Sequence, residues 1–276
     1  MVGCKIELPY TDENKTVRII FSSCQHFGSS QFSRRHFLNF IREELAKPQS
    51  YLILMGDTFD AVVNADFKRF TVSCIDPKYL LKGPDQFINL ALIDAADMLE
   101  PYKDKIIGGM MGNHEYEFLK RYNINLTAMF CERLGIRNLG MCFLMRLLLK
   151  RDGANNRVRS VKIFAHHGYG GSGRTAGARM TKYEKEIKKF PADIYAFGHD
   201  HESETKKMAR LDVNSKGRIY DRPYMLVVVG SFKKSLSDNE IPTWEETRLL
   251  GPNILNGAIV ELTVDSDNWV KLQGWP

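Results

Sequence analysis

Short apolar runs that end in polar side chains recur along this chain with amphipathic stretches between them, and this alternation restricts its fold more than any other feature. VRIIFSS (17–23) runs into Cys24, Gln25 and His26, YLILMG (51–56) into Asp57, and KIIGGMMG (105–112) into Asn113, His114 and Glu115. Further on, VRSVKIFA (158–165) runs into His166 and His167, and ADIYAFG (192–198) into His199 and His201. Runs of this length, rich in β-branched and aromatic residues, read as buried strands. Between them, SRRHFLNFIREELAK (33–47) opens on a Ser cap, sets Phe37, Phe40, Ile41 and Leu45 on one helical face and stops at Pro48. DQFINLALIDAADMLEPY (85–102) is a second amphipathic helix closed by Pro101, a third is expected over about 115–134, and TKYEKEIKKF (181–190) is a charged fourth. The order is that of an α/β protein whose strands deliver polar ends to one edge.

The second half is richer in strands. CFLMRLLLK (142–150) and the run from Val158 are expected to pair across the turn RDGANNR, where Asp-Gly is a hairpin signal. YMLVVVG (224–230) is another buried strand, and GAIVELTV (257–264) with NWVKLQ (268–273) a closing hairpin. Residues 61–84 show no clean period and read as loop with room for one short helix. With no internal repeat and no linker, residues 1–276 are expected to form a single domain.

Charge and cysteine usage narrow the setting. A net charge of +6 and a pI near 9.0 favour anionic partners, nucleic acid included, though solvated surfaces often carry such a surplus. The five cysteines are scattered, odd in number and without a CxxC pair, which favours a reducing compartment over a disulfide framework. MVGCKIELPY lacks the basic start and apolar run of a signal peptide, and MCFLMRLLL (141–149) is interrupted by Arg146 and too short to span a bilayer. A cytoplasmic protein that does not cross a membrane is expected.

The strand ends carry the chemistry. Two histidines one residue apart, His199 and His201, can aim their imidazoles at one region beyond a strand end, a pattern suited to metal ligation but weak alone. Collected in order, CQHFG, GDTFD, GNHE, HHG and GHDH resemble the calcineurin-like metallophosphoesterase family, with its pattern DxH, GDxxD, GNH[ED], H and GHxH. The likeness covers roughly residues 17–202. A looser likeness to phage and bacterial members, through HHGYGGSGRTAGAR, VVVGSFKKS and TWEETRLLGPNIL, carries it to about residue 265.

The resemblance implies a four-layer α/β/β/α sandwich, two packed mixed sheets flanked by helices, and two divalent metals bridged by one carboxylate. That carboxylate is Asp57. His26 and His201 complete the first metal site, and Asn113, His167 and His199 the second. His114 acts as general acid or stabilises transition-state charge, while Asp60 and Glu115 orient imidazoles or fix a turn. Of His166 and His167, the latter, beside Gly168, fits the pattern better. Arg174 and Arg179, near the Gly-rich loop, are candidates for substrate phosphate, whereas His36 reads as an ordinary helix side chain.

The departure is Cys24, where the family has aspartate. As a thiolate ligand it softens the first site and favours manganese, zinc or iron over magnesium; otherwise it is a small buried residue and the first metal has lost a carboxylate. The expected activity is hydrolysis of a phosphoester, foremost a phosphodiester of a nucleotide or nucleic acid, by a hydroxide held between the metals. A phosphomonoesterase is the first alternative. A non-catalytic binding module is the second, since the family includes a retromer subunit that keeps the fold without ordinary hydrolysis.

Overall fold

The computed structural model describes residues 1–62, 72–81, 86–153, 158–171, 175–213, 217–236, 242–264 and 270–276, apart from the side chains of Ala176 and Trp244. Along β2 (Thr16–Ser22), Val17, Ile19 and Phe21 turn to one face and Ile20 to the other, and both faces are buried. The same split occurs in β3 (Ser50–Leu54), with Ile53 on one side and Leu52 and Leu54 on the other. It recurs in β7 (Val158–His166), where Val161, Ile163 and Ala165 oppose Phe164. Period-two side chains with two buried faces explain why these strands read as continuous apolar runs.

Two mixed sheets result, each of six strands among the described residues. One contains β2, β3, β4 (Ile106–Gly109), the short β5 (Arg137–Asn138), β11 (Ala258–Val264) and β12 (Val270–Trp275), in the order β12-β11-β2-β3-β4-β5. The other contains β1 (Val2–Tyr10), β6 (Cys142–Arg151), β7, β8 (Ile194–Phe197), β9 (Glu204–Val213) and β10 (Ile219–Val228), in the order β1-β6-β7-β8-β10-β9. The central core lies between the sheets, where Ile19, Phe21 and Ile53 share a cluster with Phe143, Leu147, Ile163 and Val227. A second cluster buries Phe37 and Ile41 of α1 (Arg34–Ala46), Ala91 and Ala95 of α3 (Phe87–Leu99), and Phe130 of α5 (Leu126–Leu134) against the outside of the first sheet. A third packs Met180 and Tyr183 of α6 (Ala176–Ile187) on the outside of the second. The architecture is therefore a four-layer α/β/β/α sandwich.

Several elements differ from the sequence reading. The helix expected over 115–134 is two, α4 (Asn113–Tyr122) and α5, because Asn123 caps α4 in the left-handed conformation (φ 54°). β1 and β9 were not expected; both lie at sheet edges, where charged and exposed residues obscure the apolar pattern. β10 starts at Ile219, five residues before the expected strand, and α6 runs Ala176–Ile187 in place of 181–190. Within 61–84 the described part holds a 3₁₀ turn (Val72–Cys74) and the short α2 (Pro77–Leu80). Of the RDGANNR turn and the closing hairpin, residues 154–157, Asn268 and Trp269 lie outside the described residues. No helix among the described residues is long and apolar enough to cross a membrane.

Strands β2, β3 and β4 run parallel in one sheet, as do β7, β8 and β10 in the other. Loops leaving their carboxyl ends therefore gather at one pole. Leu147, fully buried between the sheets, and Leu211, 73% exposed on β9, test the layer assignment. Leu147→Ala is expected to cost about 2–5 kcal/mol in urea denaturation, and Leu211→Ala less than about 0.5 kcal/mol.

Candidate metal centre

Five residues at this pole hold positive φ: Cys24 (52°), His26 (56°), Asp57 (49°), His199 (75°) and His201 (58°). They are five of nine non-glycine residues with positive φ among those described, and all five are expected ligands. Left-handed backbone costs such residues about 1–3 kcal/mol each and persists only where surrounding bonds fix it. Those bonds are present. Met55 N–H donates to the Ser22 carbonyl (2.7 Å), Cys24 N–H to that of Gly56 (3.0 Å) and His26 N–H to that of Asp57 (3.0 Å), which ties the β2 and β3 loops together.

Glu115 locks the next pair of loops. Fully buried at the start of α4, its carboxylate accepts from the N–H groups of Gly112 (2.8 Å), Asp57 (3.1 Å) and Phe59 (2.9 Å). Burial and the neighbouring Asp57 push its carboxyl up to about 7. Gly112 lies so close to Asp57 that a Cβ there would meet Oδ1 at 2.1 Å, and a Cβ on Gly56 would meet Gly112 N and His167 Nδ1 at 2.7 Å. The glycines of GDTFD and GNHE are thus both needed for close approach, and Gly56 also for its positive φ (89°).

Around Asp57 the ring nitrogens face one another. His167 Nδ1–H donates to the Met55 carbonyl (2.8 Å), which turns Nε2 toward Asp57 Oδ2 (3.1 Å) and Asn113 Oδ1 (3.1 Å). His199 donates from Nε2 to the Gly170 carbonyl (2.7 Å), which leaves Nδ1 facing the same Asn113 oxygen (2.8 Å). On the other side His26 Nδ1 pairs with Asp60 Oδ1 (3.0 Å) and its Nε2 stands 3.2 Å from His201 Nε2. Among the described residues, three sets of donor atoms lie within 4.8 Å of one another: Cys24, His26 and His201; Cys24, Asp57 and His167; and His26, Asp57 and His114. Lone pairs pointed at lone pairs and at carboxylate and amide oxygens repel unless a cation lies among them, so this nitrogen, oxygen and sulfur donor set fits divalent metal.

The electrostatics follow. Burial raises the Asp57 carboxyl, but the imidazoles of His167, His114 and His26 outweigh it and hold the group well below the usual carboxylate range. Burial lowers His26 and His201, the latter strongly and with His26 and Lys233 adding to the effect. His167 moves the other way: burial lowers it, but Asp57 more than compensates and raises it. Burial and Asp57 push the Cys24 thiol well above its ordinary value, although Ser23 Oγ (3.2 Å) and the His199 N–H act to lower it. A coordinating cation would have to displace that proton.

His114 stands partly open beside this group. Its N–H donates to Asp57 Oδ1 (2.9 Å), its Nδ1–H donates to the Asp60 carbonyl (2.7 Å), and Asp60 Oδ1 lies 3.6 Å from Nδ1. Its ring meets that of His26 edge-on at 4.7 Å. The Asp60 carboxylate therefore serves two imidazoles. Burial opposes its ionisation, but the His26 hydrogen bond and the Lys233 charge bring it to about 2.

Other candidates are placed elsewhere. His166 accepts from Gly168 N–H (2.9 Å) and packs against Tyr169, outside the cluster. His36 bonds Ser33 on α1 (2.8 Å). Arg179 is buried with its guanidinium paired to Glu202, and Arg174 lies outside the described residues. The sequence reading missed two anchoring ion pairs, Lys182–Asp200 and Lys233–Glu245. Asp200, between the two histidines of GHDH, is held by Lys182 on α6 (2.8 Å). Lys233, which follows β10, pairs with the buried Glu245 (2.8 Å) and acts electrostatically on His26, Asp60 and His201. VVVGSFKK had the sequence signal of the other motifs, an apolar run with a polar end.

No family model and no curated protein matches the sequence. Among solved structures the chain is similar to a metallophosphoesterase from Sphaerobacter thermophilus, at 11% identity over 94% of this chain and 89% of that one, with a TM-score of 0.33. It is similar also to GAP50, the anchor in the inner membrane complex of Plasmodium (10% identity, 94% and 88% covered, TM-score 0.47). Chaetomium thermophilum Vps29 is a third (7% identity, 95% and 96% covered, TM-score 0.37). The two mixed sheets, their flanking helices and the motifs at the strand ends have the arrangement that the sequence resemblance implied.

Metal binding requires neutral imidazoles, which gives the two sides of Asp57 different pH responses. Burial already keeps His26 and His201 neutral near pH 7, whereas the raised His167 must lose a proton. In Cys24→Ser, where no thiol proton has to be displaced on the His201 side, manganese binding on the His167 side is expected to weaken first as pH falls from 8 towards 6. Calorimetric titration at several pH values, with His167→Ala and His201→Ala identifying the sides, checks this; earlier loss on the His201 side would contradict it.

Proposed function

We propose that the chain is a divalent-metal-dependent phosphoesterase, with phosphodiesters of nucleotides or nucleic acid as its leading substrates. The observation that carries the reading is the position of Asp57, one buried carboxylate between two sets of donors aimed at each other. Cys24, His26, Asp57 and His201 would hold one metal, and Asp57, Asn113, His167 and His199 the other. When bound, two divalent cations supply an acidified water as nucleophile and neutralise phosphoryl charge.

The protein groups prepare and complete that chemistry. Asp57 offers a negative charge to both sides, which a neutral ligand could not do. Glu115 and the motif glycines fix its backbone, and Asp60 sets the His26 tautomer by accepting from Nδ1. His114 is held through Nδ1 by the Asp60 carbonyl, which leaves Nε2 to hold a proton for the leaving-group oxygen. The net charge of +6 suits a polyanionic substrate and supports the diester reading over a small monoester. Relative hydrolysis of bis-p-nitrophenyl and p-nitrophenyl phosphate tests that choice, and a strong preference for the monoester would reverse it.

Two further outcomes are expected. His114→Ala keeps its metals, measured by elemental analysis, and loses about 10²–10⁴-fold in kcat; full activity in that variant would remove His114 from the mechanism. If Cys24 is a thiolate ligand, cobalt-loaded protein shows sulfur-to-metal charge-transfer absorption that disappears in Cys24→Ser. The same spectrum for both proteins would leave Cys24 a buried non-ligand.

A further inference from the structure

Helix α6 meets the two loops that carry His167 and His199. β7 and β8 run parallel and pair as far as His166 and Phe197. Beyond that point the loops stay in contact: a Cβ on Gly168 would meet the Gly198 carbonyl oxygen and the His199 Cβ, both at 2.6 Å. Side chains join them there. His199 donates from Nε2 to the Gly170 carbonyl (2.7 Å), and Tyr183 of α6 donates its hydroxyl to the Gly198 carbonyl (3.2 Å).

Lys182, the neighbouring residue on α6, spans both loops. Its ammonium donates to the Tyr169 carbonyl (3.1 Å) on one and to Asp200 Oδ1 (2.8 Å) on the other. Tyr169 precedes the residue whose carbonyl holds His199, and Asp200 follows His199 itself. Lys182, Tyr169, Gly170, His199 and Asp200 thus form a closed ring of covalent and hydrogen bonds. The ammonium is confined within it, 4.4 Å from the Tyr183 ring centroid and 5.5 Å from that of Tyr169, and the Asp200 side chain it meets is fully buried. The other side of the centre has its own ties. The His201 carbonyl accepts from Asn253 Nδ2 (3.3 Å), and the Cys24 and His26 N–H groups donate to the carbonyls of Gly56 and Asp57.

We propose that Lys182 is a positioning residue for the metal held by Asp57, Asn113, His167 and His199. By bridging Tyr169 and Asp200 it keeps the Gly170 carbonyl against His199 Nε2, which leaves the Nδ1 lone pair beside Asn113 Oδ1, where His167 Nε2 also points. The inference rests on the two-metal reading above, and Lys182 itself touches neither metal nor substrate. Partners that orient a metal-bound imidazole are worth about 10- to 100-fold in metal affinity.

Manganese titration of single-sided proteins reads the effect. In His201→Ala, which keeps the His167 and His199 side, adding Lys182→Met is expected to weaken manganese binding about 10- to 100-fold. In His167→Ala, which keeps the other side, the same substitution changes affinity by less than about twofold. Lys182→Arg, which retains a cation able to donate to both the carbonyl and the carboxylate, restores most of the loss. Equal weakening in both backgrounds would show general loosening of the fold and overturn the proposal, as would no weakening in His201→Ala or no recovery with arginine. Asp200→Asn keeps the shape of the side chain but not its charge; it is expected to give the same one-sided loss at smaller size, and it decides where Lys182→Met does not fold. A second readout needs no metal. Imidazole nitrogen chemical shifts of the metal-free protein are expected to show His199 as the Nε2–H tautomer in wild type and as a mixture of tautomers in Lys182→Met. Where a single-sided protein binds no manganese this readout decides, and an unchanged His199 tautomer overturns the proposal. Wild type that binds no manganese at all would instead reject the metal reading.

Discussion

A buried carboxylate, Asp57, sets the terms for everything at this pole of the sandwich. Removing one ionised group from water is costly unless opposite charge and hydrogen bonds replace the solvent. Here the replacement comes from both sheets: His26 from the β2 loop, the His114 N–H from α4, and His167 from the β7 end. The same imidazoles keep Asp57 ionised despite its burial. Without them the carboxyl would take up a proton, and the negative charge shared by both donor sets would be lost.

That arrangement needs a rigid frame, and the fold provides it at some cost in backbone strain. Five left-handed residues at one pole are held by inter-loop hydrogen bonds, by Glu115 accepting from three N–H groups, and by glycines that allow loops to meet. Parallel strands in each sheet bring the loops together, and the inter-sheet core keeps the sheets in register. Left-handed backbone gathered where the donors are, in five of the nine such non-glycine residues among those described, is the pattern of a site whose geometry is fixed before its ligands bind.

Much of this could be read from the sequence because a doubly buried strand leaves a simple mark. The runs at 17–23, 51–56 and 192–198 were apolar on both faces, so the polar residues after them stood out. Period two also separates His166 from His167: Val161, Ile163 and Ala165 point into the inter-sheet core, and His167 continues that parity. Edge strands left no such mark. ETKKMARLDV of β9 pairs on one side only and is charged like a surface helix, and β1 carries Lys5 and Glu7 on its exposed face. Long-range pairs were hidden for a different reason. Nothing local in TWEETR connects Glu245 to Lys233, or Lys182 to Asp200, since folding alone brings those charges together.

The central claim is that Asp57 stands between two cations. Anomalous diffraction at the manganese edge, from crystals grown with manganese, tests it directly. Two peaks are predicted, one beside His26 and His201 and one beside Asn113, His167 and His199, with an Asp57 oxygen in contact with both. A single peak, or a pair in which Asp57 touches only one ion, would contradict the account.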